Sequence, residues 1–310
     1  MATKLRIATR GSPLALAQAR EVARRLAEAH PILAVPDAIE TQVIRTTGDR
    51  IQQGPLSEAG GKGLFTREIE EALLERRADI AVHSMKDVPT VLPDGLMLAA
   101  LLPREDPRDA LIAPGVRSLA AIPAGTVVGT ASLRRKAVLL HRRPDLSVVT
   151  LRGNVETRLR RIREGAVGAT FLALAGLRRL GLADHVDAVL DPDEMLPAVC
   201  QGVIGIECRE DDTATRALLE ALDHRETALC VAAERAFLAA LDGSCRTPIG
   251  GLAVLEGGAL HFRGLIVRPD GSEALEVERR GHAADGAAMG QDAANELRGR
   301  AAPDFFVDAG

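Results

Sequence analysis

Asp87 stands in the segment HSMKDVP, directly after Lys86 and two residues before Pro89. A carboxylate where the apolar run DIAV gives way to a loop can donate and accept protons or stabilise a developing cation. As a plain turn residue it would only bond nearby backbone. Cys245 lies in LDGSCRTPIGG, between Gly243 and Pro248 and beside Arg246, a neighbour that favours the thiolate. No His stands near it in sequence, which is odd for a hydrolase nucleophile. The thiol could instead be a permanent attachment point for a covalent group, and spacing alone does not decide between these uses. Cys208 and Cys230 sit among apolar neighbours, as small core residues do, and Cys200 fits either use. Four cysteines without CxxC spacing make neither a disulfide framework nor a metal site. His83 reads as a satisfied core group rather than a base. GGKGLF (60–65) lacks the GxxxxGK[ST] frame and a preceding strand, so Lys62 reads as part of a flexible lid, with a phosphate site as the alternative.

The densest chemistry lies between Thr130 and Arg179. From Arg134 to Arg179 there are twelve Lys or Arg against three acids, in a chain whose net charge is −4. VVGT followed by Ser132, and VVTLRG followed by Asn154, each read as a strand entering a capped helix. Arg134, Arg135 and Lys136 then fall in a first helical turn, where the macrodipole disfavours cations. A solvated basic face is one reading of such a run. The other is a clamp at two helix N-termini for a ligand with several negative charges.

Length and composition narrow the classes. A chain of 310 residues with 46% hydrophobic and 26% charged residues is long enough for two domains and a third small one. Six Phe, no Trp and no Tyr leave few stacking platforms for single-stranded nucleic acid, and a pI near 6.0 does not suit a general polyanion binder. No stretch approaches the ~18 apolar residues of a membrane span, and MATKLRIATRG has no apolar signal core. The expectation is a cytoplasmic protein with no membrane or nucleic-acid partner.

The elements that must position these residues alternate. KLRIATR is a strand, Ser12-Pro13 starts a helix through LALAQAREVARRLAEAH, and AIETQVIRTTGD is a second strand. Residues 50–62 lack periodicity and read as a mobile loop. GLFTREIEEALLERR is a helix, and DIAVHSMKDVP and LMLAALLP are strands. Such alternation implies parallel strands. PREDPRD (103–109) reads as a hinge into a second lobe with the same theme, and VIGIEC as a strand that returns the chain. Two helices follow, then antiparallel hairpins turning at Gly257-Gly258 and Pro269-Asp270-Gly271, then a last helix. Ligand groups are expected on loops at strand C-terminal ends, in a cleft between the lobes.

Over almost its whole length the sequence resembles the porphobilinogen deaminase (hydroxymethylbilane synthase) family. The stretches that carry the likeness are ATRGSPLALAQA, GGKGLFTREIE, DIAVHSMKDVP, GTASLRR, LRGNVETRL, LAGLRRLG, CQGVIGIECR and DGSCRTPIG, in this order and spacing. The resemblance implies an α/β fold of two periplasmic-binding-protein-like lobes with a cleft between them. A small C-terminal α+β domain with a three-stranded antiparallel sheet completes it. The boundaries expected are 1–102 plus 203–220, 108–196, and 225–310 for the cofactor-attachment domain. It further implies a monomeric transferase of tetrapyrrole (haem) biosynthesis. Such an enzyme joins four porphobilinogen units head to tail, loses ammonia at each step, and releases hydroxymethylbilane by hydrolysis.

By the same resemblance, Cys245 carries a dipyrromethane cofactor as a thioether and Asp87 is the catalytic acid, stabilising a cationic azafulvene. Lys86, Thr130, Ser132, Arg134, Arg135, Arg152, Asn154 and Arg158 match positions that bind cofactor or substrate carboxylates. Arg10 and Ser12 match substrate-binding positions, Arg179 one used in chain elongation, and Lys62 the lid. The family's pattern has Ser where Ala131 stands, and a small residue such as Gly or Ala where Cys200 stands. The alternative, a non-catalytic two-lobe anion binder, explains the arginines but gives no role to Cys245 or Asp87.

Overall fold

The computed structural model describes residues 4–50, 63–243 and 247–307, without the side chain at position 50. Lys62 and Cys245 therefore lie outside the described residues. The strands in chain order are β1 (Leu5–Thr9), β2 (Ile39–Val43), β3 (Ile80–Ser84), β4 (Leu96–Leu101), β5 (Asp109–Ile112), β6 (Val127–Gly129), β7 (Ser147–Val149), β8 (Ala169–Ala173), β9 (Ala188–Val189), β10 (Ile204–Arg209), β11 (Ile249–Glu256), β12 (Ala259–Val267) and β13 (Ala274–His282). The helices are α1 (Pro13–Ala29), α2 (Thr47–Arg50), α3 (Arg67–Leu74), α4 (Leu133–Arg142), α5 (Val155–Arg163), α6 (Leu174–Arg179), α7 (Thr213–Leu219), α8 (Arg225–Ala240) and α9 (Gly286–Arg300). Among the described residues, no helix is long and apolar enough to cross a membrane.

The chain forms two compact units, one made of described residues up to 105 together with 203–228, the other of 106–202 and those from 229 on. Each contains a five-stranded sheet, ordered β2-β1-β3-β10-β4 in the first and β7-β6-β8-β5-β9 in the second. In the first, β1 pairs in parallel with β2 and β3, and β10 pairs antiparallel with β3 and β4. In the second, β6 pairs in parallel with β7 and β8, and β5 pairs antiparallel with β8 and β9. The two sheets thus repeat one topology. The expectation of parallel strands holds for the three joined through helices and is corrected for the rest. Strands that arrive without a helical crossover, such as β10 from far along the chain, are free to pair antiparallel.

Local chemistry explains the helices. Ser12 accepts the N–H of Ala15 and Pro13 occupies the first turn of α1, whose Ala15, Ala19, Val22 and Leu26 form a buried stripe. That stripe meets Ile7, Ile80, Val82, Ile204 and Ile206 in the first core. In the second unit Leu111, Val128, Leu139 and Phe171 form a core that continues into Leu252 and Leu265 of the third sheet. That sheet, β11-β12-β13, is antiparallel throughout, as its hairpin turns foretold.

Two local readings are corrected. The segment AIETQVIRTTGD is strand only over Ile39–Val43 and then turns into the short helix α2. The helix expected from Gly63 spans only Arg67–Leu74, because Gly63 (φ 87) and Arg76 (φ 56) adopt left-handed conformations that flank it. Cys200 is buried with φ 60, a left-handed conformation that is strained for a residue with a side chain. Its N–H donates to the buried Glu234 carboxylate at 2.5 Å, and the other Glu234 oxygen accepts the Ala253 N–H at 2.8 Å. One carboxylate on α8 therefore fixes both the strained residue and β11.

Candidate functional site

The expected site residues that are described follow the parallel strands of each unit. Arg10 and Ser12 follow β1, and Lys86 and Asp87 follow β3 in a short 3₁₀ turn, Met85–Asp87. Thr130 and Ser132 follow β6, Arg152, Asn154 and Arg158 follow β7, and Arg179 ends the helix after β8. Repetition of one topology repeats the site's placement, as strand ends in α/β sheets leave backbone groups and loops open to ligands.

In the first unit, Arg10 and Asp87 come together. Arg10 Nη1 lies 4.0 Å from Asp87 Oδ2, and both side chains are partly exposed. Behind them β3 is anchored by two contacts, the first partly and the second fully buried. Gln18 of α1 donates to Ser84 Oγ at 2.9 Å. His83 Nε2 meets Glu207 of β10 at 3.0 Å, with both side chains buried. His83 is thus the satisfied core group that the sequence suggested. Glu70 lies nearby with its carboxyl raised by burial above its usual range. Ser12 uses its hydroxyl to cap α1.

In the second unit, Asp109 opens β5 and is fully buried. Arg134 Nη2 and Arg135 Nη2 each lie 2.7 Å from one of its oxygens, and Gln201 Nε2 donates to Oδ1 at 2.8 Å. The other terminal nitrogens, Nη1, reach Leu196 O (from Arg134, 2.7 Å) and Phe171 O (from Arg135, 2.8 Å). Burial alone would raise the Asp109 pKa, but the two guanidiniums outweigh it and hold the carboxyl far below the usual carboxylate range. The first-turn cations of α4 therefore have an internal counter-charge. Neither the solvated face nor the ligand clamp read from the sequence included this internal partner. Two guanidiniums on one carboxylate still leave an excess of positive charge, and the buried Arg134 Nε and Arg135 Nε make no hydrogen bond.

The rest of the basic segment sorts by position. Thr130 is buried, and its hydroxyl accepts the Ser132 N–H at 3.2 Å. Ser132 caps α4 through the Arg135 N–H, and Asn154 caps α5 through the Thr157 N–H at 2.9 Å. Arg152 is half-buried, Arg158 Nε donates to Gly153 O at 2.9 Å, and Arg179 Nη2 donates to Gly202 O at 2.9 Å. The notion of paired arginines at two helix N-termini is corrected for α5, whose first turn holds Glu156. Its Arg160, Arg161 and Arg163 occupy the last turn, where the macrodipole favours cations, and form an exposed face. Arg143 serves the fold, donating to the carbonyls of Leu119, Ala120 and Ile122.

A family model described as "Porphobilinogen deaminase, dipyromethane cofactor binding domain" matches residues 5–217, and one described as "Porphobilinogen deaminase, C-terminal domain" matches residues 228–299. The chain belongs to the porphobilinogen deaminase family. It is 59% identical over 302 residues to the porphobilinogen deaminase of Paracoccus denitrificans, which covers 97% of this chain and 96% of that one. It is 55% identical over 305 residues to the chloroplastic porphobilinogen deaminase of Oryza sativa subsp. japonica, covering 97% and 85%. Among solved structures, a TRAP periplasmic solute binding protein from Desulfovibrio salexigens matches at TM-score 0.42 and 11% identity, over 74% of each chain.

The dipyromethane group named by the family model is one whose residues this chain can supply. A dipyrrole bearing acetate and propionate arms requires cations and hydrogen-bond donors. The excess charge at Asp109, the two orphaned Nε groups and the helix-capping residues beside them suit such arms. Among the described residues, no group of His, Cys, Asp and Glu is arranged to hold a metal. Four of the neighbours just described escaped the sequence reading: Gln18, Asp109, Gln201 and Glu207. Gln18 and Glu207 carried a signal, a polar residue on an otherwise apolar stripe or strand. Asp109 carried a fainter one, an acid heading the apolar run ALIA.

Replacing Asp109 by Asn should destabilise the protein by about 3 to 5 kcal/mol at neutral pH, because two buried guanidiniums lose their anion. The depressed Asp109 pKa contributes stability above about pH 4 that is lost as the pH falls through the folded value. Urea denaturation across the acid range should therefore show a shallower pH dependence for Asp109→Asn than for the parent. Equal slopes would mean the carboxyl is not held ionised by these partners.

Proposed function

We propose that the chain is a transferase that joins four porphobilinogen molecules head to tail with release of ammonia and hydrolyses the product to hydroxymethylbilane. The observation that carries this reading is the family match, which takes in both the α/β part and the C-terminal part of the chain. We place it in tetrapyrrole biosynthesis, as a cytoplasmic monomer with a three-domain division at 1–102 plus 203–220, 108–196 and 225–310.

In this reading Cys245 holds the dipyrromethane group by a thioether. When bound, that group would supply the nucleophilic pyrrole carbon from which the chain grows. Arg134, Arg135, Arg152 and Arg158, with Lys86, take the carboxylates by charge, and Thr130, Ser132 and Asn154 take them by hydrogen bonds. Arg10 and Ser12 bind the arms of the incoming porphobilinogen, and Arg179 serves elongation. Asp87 accepts the substrate's pyrrole N–H. As the bond from carbon to the aminomethyl nitrogen breaks and ammonia departs, the Asp87 carboxylate faces the positive charge left on the ring. Arg10, 4.0 Å away, fixes the side from which the substrate's carboxylate approaches. Lys62 belongs to the lid in this reading.

Intact-mass spectrometry of the purified protein should give a mass above that of the polypeptide by one dipyrrole, and Cys245→Ser should remove the increment. An active protein of unmodified mass would refute the reading. Asp87→Ala should keep its fold and thermal stability while turnover falls by at least about 100-fold, the usual scale for a lost acid–base or electrostatic group. Normal turnover in that variant would take Asp87 out of the mechanism.

A further inference from the structure

Arg10 is held on three sides in the first unit. Its Nε lies 3.1 Å from Asp49 Oδ1, and its Nη2 bonds the same carboxylate. The Phe65 ring covers the guanidinium at 4.1 Å from Cζ to the centroid. The remaining nitrogen, Nη1, is the one 4.0 Å from Asp87. Asp49 is itself fixed, because Oδ2 accepts the hydroxyl of the fully buried Thr46 at 2.8 Å. Partial burial would raise the Asp49 pKa, but Arg10 and Thr46 outweigh it and keep the carboxyl below its usual range.

The backbone supports this arrangement. The N–H of Gly48 donates to Leu64 O at 2.8 Å, tying the turn that carries Asp49 to the one that carries Phe65. A Cβ at position 48 would fall 2.3 Å from the Phe65 ring, so only glycine lets the ring sit over Arg10. A free arginine side chain samples many rotamers, and ordering it on ligand binding costs affinity. Here the edge of the guanidinium is taken by Asp49 and its face by Phe65, which leaves one nitrogen aimed at the reacting side.

We propose that Asp49 is the positioning residue of Arg10: it holds the guanidinium in place before substrate arrives, with Phe65 as the second support. The proposal rests on the functional reading above, in that Arg10 meets substrate beside Asp87. Asp49 touches no reacting atom in this scheme and acts only through Arg10.

Two measurements test it. In protein labelled with [15N]arginine, the Arg10 Nε–H resonance, assigned by its loss in Arg10→Lys, should exchange slowly with water. It should exchange at least about tenfold faster in Asp49→Asn, where the charge-assisted pair is gone. In steady-state kinetics, Asp49→Asn should lower kcat/KM by about tenfold or more, chiefly through KM. Thr46→Val, which only loosens Asp49, should give a smaller loss of the same kind. In an Arg10→Gln background, Asp49→Asn should change kcat/KM by less than about twofold, because its partner is already missing. An equal loss in both backgrounds, or slow Nε–H exchange that survives Asp49→Asn, would overturn the proposal. The exchange measurement needs no turnover and judges the pair whatever becomes of the functional reading. Unchanged kinetics in Asp49→Asn beside normal parent turnover and dipyrrole mass would overturn the positioning role alone.

Discussion

Asp109 sits at the start of β5 with no exposure to solvent and with the guanidiniums of Arg134 and Arg135 on its two oxygens. Burying such a group is costly unless every charge finds a partner. Here one carboxylate and two backbone carbonyls satisfy most of two guanidiniums, and the Gln201 carboxamide donates to the same carboxylate. The arrangement ties the first turn of α4 to β5 and β8. It also concentrates positive charge beside Thr130 and Ser132, which follow β6. A polycarboxylate bound there would complete a charge balance that the fold leaves one negative group short.

The first unit solves a related problem in the opposite sense. Asp87 follows β3 as Thr130 follows β6, and the groups that steady it are carried by neighbouring elements. Gln18 and Glu207 fix the strand behind it, and Arg10 stands beside it under the control of Asp49 and Phe65. Both units thus set functional side chains on loops after parallel strands and brace them from within the sheet. In the reading proposed above, a substrate bearing several carboxylates needs fixed cations, and the positive charge that develops on its ring needs an anion.

Much of this was legible in the chain. Ser12-Pro13, Ser132 and Asn154 announced three helix starts, and all three cap as expected. The alternation of strand and helix gave the α/β class, and the glycine turns gave the antiparallel third sheet. Pairing direction was not legible for β5 and β10, because a short apolar run carries no mark of the neighbour it will meet. The basic segment misled in part. Its charge was plain, but the counter-charge of Arg134 lies 25 residues upstream at Asp109, beyond any local spacing rule. Likewise Asp49 is 39 residues from Arg10, so no periodicity could link them. Arg143, Arg160 and Arg161 contributed to the count yet serve turns and a solvated face. Charge density marked the segment but did not sort its side chains by partner.

A crystal structure of the protein purified with its dipyrrole attached tests the central claim most directly. The account predicts a thioether at Cys245 and acetate or propionate oxygens within hydrogen-bond distance of Arg134 or Arg135, with Asp109 still bonded to both. Carboxylate arms held elsewhere, with both arginines bonded to Asp109 and the protein's own carbonyls alone, would contradict it.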